Sequence, residues 1–377
     1  ADMVALAPAW QALADRALEA NPFYEPSFLL PLIEETGPYP GLQFWVVAPR
    51  DAPCDVRGVF PFDRRRARPM TMLSPFTRGR SGGQHIDIDV GVPLVDAVDA
   101  GAVIDALLDF LDTRWLHALD WYALAEGASF HQALLARLVA RAQPMLDLGG
   151  WARPLFRAGS DIDAYLGVAL SKRRRTHVRQ YRTYLTRVGE IGFSVLGRDD
   201  DPGPWIATYF ALEASGWKGR EGSDVGATTG ARRFFERAMR ARHAHDGLFA
   251  YRLSVGDRPI AQTWVLQPAD RRVGLTWKMS YDKEFAKNSP GLMLEIAAMG
   301  LLHTDAAPLR TVDSCAHSRQ RLFSWLWQDR RQMACLLIVA RTPLHDAALR
   351  LAARFRAWRM ARRMHHSEIA VPQEDEP

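Results

Sequence analysis

Three β-like runs, 248–255, 260–267 and 273–280, follow one another with only GDRP and PADRR between them. Gly, Asp and Pro in links that short favour tight hairpins, so the three runs read as an antiparallel meander. Directly after it comes SYDKEFAKNSPGLMLEIAAMG: a strand end, a polar loop, a bare Ser-Pro-Gly step, and a helix with Leu292, Ile296, Met299 and Leu302 at helical spacing. A helix start carries unpaired N–H groups and the positive end of the helix dipole. A loop stripped of bulky side chains at that point can hold an anion, often a phosphate.

The meander fixes the reading of its surroundings. Two helical runs precede it, 200–217 with Pro204 near its start and 230–247 ending at Gly247; a short strand (309–316), a helix (318–328) and a buried strand (332–340) follow. The first half gives a weaker copy: strands at 42–49, 57–65 and 84–90, a helix at 102–112, a strand at 118–125 and a helix at 129–138. The pattern restarts near 149–171, which suggests a duplication with its boundary there. The chain is read as 1–150, 151–342 and a basic amphipathic helix and tail at 343–377, in agreement with the two domains expected of 377 residues that are 48% hydrophobic.

Composition narrows the partners. The net charge of +5 favours an anionic one, such as a phosphorylated carrier, a nucleic acid or an acidic membrane surface. No run approaches the roughly 20 apolar residues of a membrane span, and the first residues lack the layout of a secretory signal, so the chain reads as cytoplasmic. Cys54, Cys315 and Cys335 have no paired spacing and read as buried thiols rather than a disulfide or zinc framework. G-x-S-x-G, Walker A, Rossmann glycine and H-E-x-x-H patterns are absent, which argues against a serine hydrolase, an NTPase or a zinc protease.

Several stretches admit two readings. HIDID sets His85, Asp87 and Asp89 on one strand face, either metal ligands or the wet side of a half-buried strand. RGRSGG, residues 78–83, is an anion nest or a flexible loop. Strand alternation puts Thr276, Lys278 and Ser280 on one face and Trp277, Met279 and Tyr281 on the other, so Lys278 faces either a cleft or solvent. Seven Lys or Arg lie between Lys172 and Arg187 beside an apolar stripe. They form a solvated face or a receiver of phosphates, the second giving salt-sensitive binding. Leu344, Leu351, Phe355 and Trp358 form a stripe beside arginines in the last helix, which packs on the protein's own body or lies on an acidic membrane.

The order of elements in the second half resembles the GNAT acyltransferase fold. LSKRRRTHVRQYRTYL, LEASGWKGREG, GDRPIAQTWVL, WKMSYDKEFAKNSPGLMLEIA and TVDSCA resemble the double-GNAT family linked to the cellulose-biosynthesis protein CelD. More distantly, the tandem arrangement looks like the Fem peptidyltransferases, which use aminoacyl-tRNA. The resemblance implies a mixed α/β fold of tandem GNAT-like domains, the second catalytic and the first forming part of the acceptor cleft. It implies acyl transfer from acetyl-CoA or another acyl-CoA to an amine or hydroxyl, on a small-molecule or glycan acceptor, with no metal and no nucleic acid. The usual pyrophosphate signature is Arg or Gln, two residues, Gly, one residue, then Gly or Ala; here Ala286, Ser289 and Gly291 take those places.

By the same resemblance the thioester lies along the strand carrying Met279 and Ser280, and the diphosphate at Ser289 to Leu292, with Lys287 at the mouth. Gly291 allows close backbone approach, and Ser289 caps the helix or donates to phosphate. Glu213, Trp217 and Lys218 are candidates for the acceptor side, against a helix end at Gly216 with Trp217 as a packing anchor. Asp313 ends a strand where acceptor meets thioester; it or Glu213 is the expected base, against a helix-capping role for Asp313. Where many GNAT enzymes carry a tyrosine acid this chain has Phe323, Ser324 and Trp325, which leaves Tyr281, Ser324 or water to protonate the thiolate. Lys278 completes the candidate set. Two rivals are a Fem-like tRNA-dependent transferase and a non-catalytic glycan-binding subunit.

Overall fold

The computed structural model describes the chain except residues 1, 68–69, 82–83, 115–116, 160, 216–224, 305–308, 317–320 and 369–377. In the first half run α1 (Ala7–Asp15), α2 (Pro26–Thr36), β1 (Leu42–Val47), β2 (Gly58–Ala67), β3 (Met70–Pro75), β4 (Arg78–Ser81), β5 (Gln84–Asp87), β6 (Leu94–Val95), α3 (Ala100–Asp112), β7 (His117–Ala125) and α4 (Ser129–Ala140). Then come β8 (Met145–Arg157), α5 (Ile162–Ala169), α6 (Lys172–Val188), β9 (Ile191–Val195), α7 (Gly203–Ser215), α8 (Thr229–Ala244), β10 (Leu248–Val255), β11 (Arg258–Leu266) and β12 (Gly274–Tyr281). The chain continues through a 3-10 turn (Lys283–Asn288), α9 (Pro290–Leu302), β13 (Thr311–Asp313), α10 (Arg321–Leu326), β14 (Asp329–Val339) and α11 (His345–Glu368).

The meander expected at 248–280 is present as β10, β11 and β12, antiparallel and joined by short turns. One 12-stranded mixed sheet runs β1-β2-β3-β7-β14-β8-β13-β12-β11-β10-β9, with β6 attached to β2. Each half contains a meander strand paired parallel to the strand reached through a helical crossover: β3 with β7 and β12 with β13. The join is an exchange. β8, from the end of the first half, pairs with β13, and β14, from the end of the second, pairs with β7, so β14 and β8 lie side by side.

Packing follows from the apolar faces. One core cluster joins α1 and α2 to α7 and α8 through Phe28, Tyr209, Phe234, Phe235, Trp264 and Trp277; Trp277 stacks on Phe235 at 5.4 Å and meets Phe28 edge-on at 5.1 Å. Burying each such aromatic contributes on the order of 2–3 kcal/mol, and here it locks the halves together. A second cluster seats α9, α10 and the apolar side of α6 against the meander. α11 packs through Ala352 on Met72, Leu337 and Val339, whereas Leu344, Leu351 and Trp358 of the expected stripe are exposed.

Three expectations need correction. Residues 78–81 are not a loop but the first strand of a two-stranded hairpin. Cys54 is exposed rather than buried. The simple alternation across 276–281 fails because β12 carries a bulge: Val265 lies opposite Thr276 and Trp264 opposite Lys278, which leaves Trp277 extra. A bulge re-aims the side chains beyond it. Thr276 and Met279 therefore share the α9 side, while Trp277, Lys278 and Ser280 share the other.

Candidate functional site

β12 and β13 pair only at Gly274 with Val312 and Leu275 with Asp313. β13 ends there while β12 continues to Tyr281, so the two strands part and the edge of β12 beyond Leu275 has no β13 partner. A strand edge that its neighbouring strand leaves is a ready acceptor for an extended, amide-bearing ligand.

On the α9 side of this opening the chain turns through Ser289, which sits in the left-handed region at φ 45° and ψ 58°. That conformation is uncommon for a residue with a Cβ and marks local strain held by its surroundings. No side chain caps the helix start, and Pro290 has no N–H to offer. Gly291 is buried, and a Cβ placed on it meets only the Met279 sulfur, at 3.1 Å. Lys287 is exposed at the mouth, Ser289 is half-buried, and Leu292 and Ser280 are buried. α6, with its cluster of cations, packs beside the 3-10 turn and α9.

On the opposite side lies a cleft of about 1070 Å³ whose walls come from both halves. The second half contributes Trp277, Lys278, Cys315 and Ala316; the first contributes Asp87 and Asp89 as well as the β2 segment Asp63 to Arg65; β8 adds Trp151 and Arg153. Lys278 lies 5.6 Å from the centre of the Trp277 ring.

Arg153 is the pivot. It is 3% exposed, donates through Nη1 to the Asp89 carbonyl at 2.7 Å and through Nη2 to Asp313 Oδ2 at 2.6 Å. Asp313 is fully buried, also receives Arg331 Nη1 at 2.9 Å, and accepts the Cys315 N–H on Oδ1 at 2.9 Å. Burial alone raises its pKa, yet the two guanidinium groups outweigh burial and hold the carboxyl below the usual range. Asp313 is thus an anchored carboxylate with its lone pairs engaged. The Cys315 thiol is pushed well up, first by burial and then by Asp313, which disfavours a thiolate there.

Asp89 behaves in the reverse way. Desolvation and the neighbouring Asp87 charge raise its pKa to about 7, against the opposing pull of Arg153 and Lys278. A carboxyl in a cleft with a pKa at the working pH suits proton transfer. In the sequence it stood within HIDID as a metal or solvent-facing candidate on a strand; β5 ends at Asp87, so Asp89 lies past the strand, and the signal that it faces a cleft was absent because Arg153 comes from a distant segment. Asp87 and Asp89 both line the cleft, the His85 side chain lies outside the described residues, and no cluster able to hold a metal occurs among the described residues.

Glu213 is 1% exposed, accepts the Tyr209 hydroxyl at 3.2 Å, and accepts the Val225 N–H at 2.7 Å. Its carboxylate therefore ties the start of the 3-10 turn at Val225 to α7. Trp217 and Lys218 fall outside the described residues. Tyr281 is 38% exposed at the end of β12 on the α9 side, and Ser324 is half-buried on α10.

Residues 172–319 match the acetyltransferase (GNAT) domain family. No curated protein sequence matches the chain. Among solved structures, a conserved protein of unknown function from Bacteroides thetaiotaomicron is similar at 14% identity and a TM-score of 0.52, with 89% of this chain and 97% of that one covered. The C-terminal DUF2156 domain of a putative lysylphosphatidylglycerol synthetase from Agrobacterium fabrum gives 11% identity and 0.52 over 93% and 95%. FemX gives 10% identity and 0.52 over 87% and 95%. At these identities the likeness is one of fold.

Proposed function

We propose that this chain, which carries a GNAT acyltransferase domain, moves an acyl group from acyl-CoA to an amine or hydroxyl bound in the cleft between its halves, with the second half as the catalytic one. The observation that carries the reading is the parting of β12 from β13 next to the uncapped start of α9. The edge of β12 beyond Leu275 would take the pantetheine amides, and the N–H groups following Pro290 would take the diphosphate. The cations of α6 beside that turn would meet the remaining phosphates.

The acceptor would enter from the cleft and attack the thioester carbonyl at the bulge, where Trp277 and Lys278 both face it. Asp89 would accept the proton as the new bond forms; the C–S bond then breaks, and the departing thiolate takes a proton from Tyr281 or water. Holding both reactants on one strand supplies much of the acceleration. Among the two bases expected from sequence, Asp313 and Glu213 are both committed to internal bonds, and this favours Asp89.

Calorimetric titration with acetyl-CoA tests the donor. Binding is expected in the parent protein and a loss of at least tenfold in Gly291→Trp, whose ring would fill the approach beside Met279. No heat from the parent protein removes acyl-CoA as donor and leaves the aminoacyl-tRNA or glycan-binding readings. A further reading concerns α11: its exposed Leu351 and Trp358 lie seven residues apart among arginines, and we propose that this pair meets an acidic lipid surface. No helix among the described residues is long and apolar enough to cross a membrane.

A further inference from the structure

We infer that Trp277 is a positioning residue of the transfer: its indole N–H fixes the segment that carries Asp89 against the strand read as the thioester site. This inference rests on the reading of Asp89 as the base. The segment runs from the end of β5 at Asp87 to the start of β6 at Leu94 and belongs to no strand. Backbone outside a ladder still needs hydrogen-bond partners when it is buried, and here side chains supply them. Trp277 Nε1 donates to the Asp87 carbonyl at 3.2 Å and Arg153 Nη1 to the Asp89 carbonyl at 2.7 Å. Asn21 Nδ2 donates to the carbonyls of Val90 at 3.2 Å and Val92 at 2.7 Å, and Trp121 Nε1 to that of Gly91 at 2.9 Å.

Donors from separate parts of the chain thus hold one irregular strap by its main chain, and both Asp87 and Asp89 stand in the wall of the cleft. Asn21 and Trp121 act from the core, whereas Trp277 acts from β12 itself. Its ring is fixed, stacked on Phe235 at 5.4 Å and edge-on to Phe28 at 5.1 Å, and it is the extra residue of the bulge. The spacing between Asp89 and β12 is therefore set through this one indole. Facing Asp89 are Asp87 on its own strap, Arg153 of β8, Lys278 of β12, Asp313 of β13 and Cys315 just beyond it, with Arg78 of β4 paired to Asp87. Desolvation is the first cause of the raised pKa of Asp89, so a strap that loosens and admits water lets that pKa fall. The base then stays ionised to lower pH, and the acid limb of the rate moves down with it.

The test is Trp277→Phe in the full chain, which removes the N–H and keeps a ring against Phe28 and Phe235. Amide hydrogen exchange is followed across 87–92, and thiol release from acetyl-CoA with an arylamine acceptor is followed between pH 5 and 9. Exchange in the strap is expected to quicken by about tenfold or more. On the pH plateau kcat is expected to fall by roughly 10–100-fold with KM for acetyl-CoA little changed, and the acid limb to move down by about one pH unit. Phe235→Leu, which takes away the stacked ring and leaves the N–H, is expected to lower the melting temperature and leave the acid limb in place. Unchanged exchange in Trp277→Phe, an acid limb that stays put, or an equal displacement in Phe235→Leu overturns the inference. A parent profile flat down to pH 5 strikes the reading of Asp89 as base instead, and exchange then still decides whether Trp277 holds the strap.

Discussion

Asp89→Asn is the sharpest test of the chemistry. With a pKa of about 7, Asp89 is about half ionised at pH 7, roughly 10% at pH 6 and about 1% at pH 5. Because the base must be deprotonated, the rate falls as pH falls, about tenfold for each unit below 7. An ordinary carboxylate near 4 would give a flat profile over that span. Replacing Asp89 by Asn keeps its size and removes the proton acceptor, with an expected loss of about 10²–10⁴. Release of the CoA thiol from acetyl-CoA, measured between pH 5 and 9 with water or an arylamine as acceptor, reads both effects. The arylamine is neutral through most of this range, so the acid limb belongs to the protein. A variant that retains full rate, or a parent profile flat down to pH 5, refutes the assignment.

Asp313→Asn should unfold more easily by about 3–5 kcal/mol in urea, because it leaves Arg153 and Arg331 facing a neutral group in a buried site; a variant of full stability and no activity would instead restore Asp313 as the base. Glu295 is buried, accepts the Tyr251 hydroxyl at 2.8 Å, and has its pKa raised from 4.5 to about 7 by desolvation. Its contribution to stability is complete below pH 4.5 and is lost as pH rises to 7, a fall of about 3 kcal/mol. Glu295→Gln should therefore flatten stability between pH 5 and 8, and an unchanged slope counts against it. Leu351→Ser combined with Trp358→Ser should abolish sedimentation with phosphatidylglycerol vesicles, and a parent chain that ignores such vesicles removes membrane contact from the proposal.

Local pattern carried much of this fold. The meander was legible because its links are short and its turns are punctuated by Gly, Asp and Pro, and the start of α9 because Ser-Pro-Gly follows a strand directly. What could not be read was anything depending on distant pairing. β8 shows little alternation, since Gly149, Gly150 and Pro154 interrupt it, yet its two neighbours hold it as a central strand. The bulge at Trp277 is set by packing against Phe28 and Phe235, and no period-2 pattern announces it. At the site, the family resemblance singles out Asp313 and Glu213, but their partners, Arg153 and Val225, come from other segments. Asp89 was noticed for its spacing and acquires its altered acidity only beside Asp87 and Arg153.

The exchange of β8 and β14 has a consequence for how such a chain can be made. While the first half leaves the ribosome, β7 waits for a neighbour encoded about 200 residues later, and its exposed edge must be kept from pairing with other molecules. Neither segment is a module that could be excised whole: cutting near residue 150 would strip each piece of its innermost ribbon or leave it with a borrowed one. Co-expressed fragments would have to clasp each other to gain order, and a lineage carrying this interlock can lose neither part without losing both.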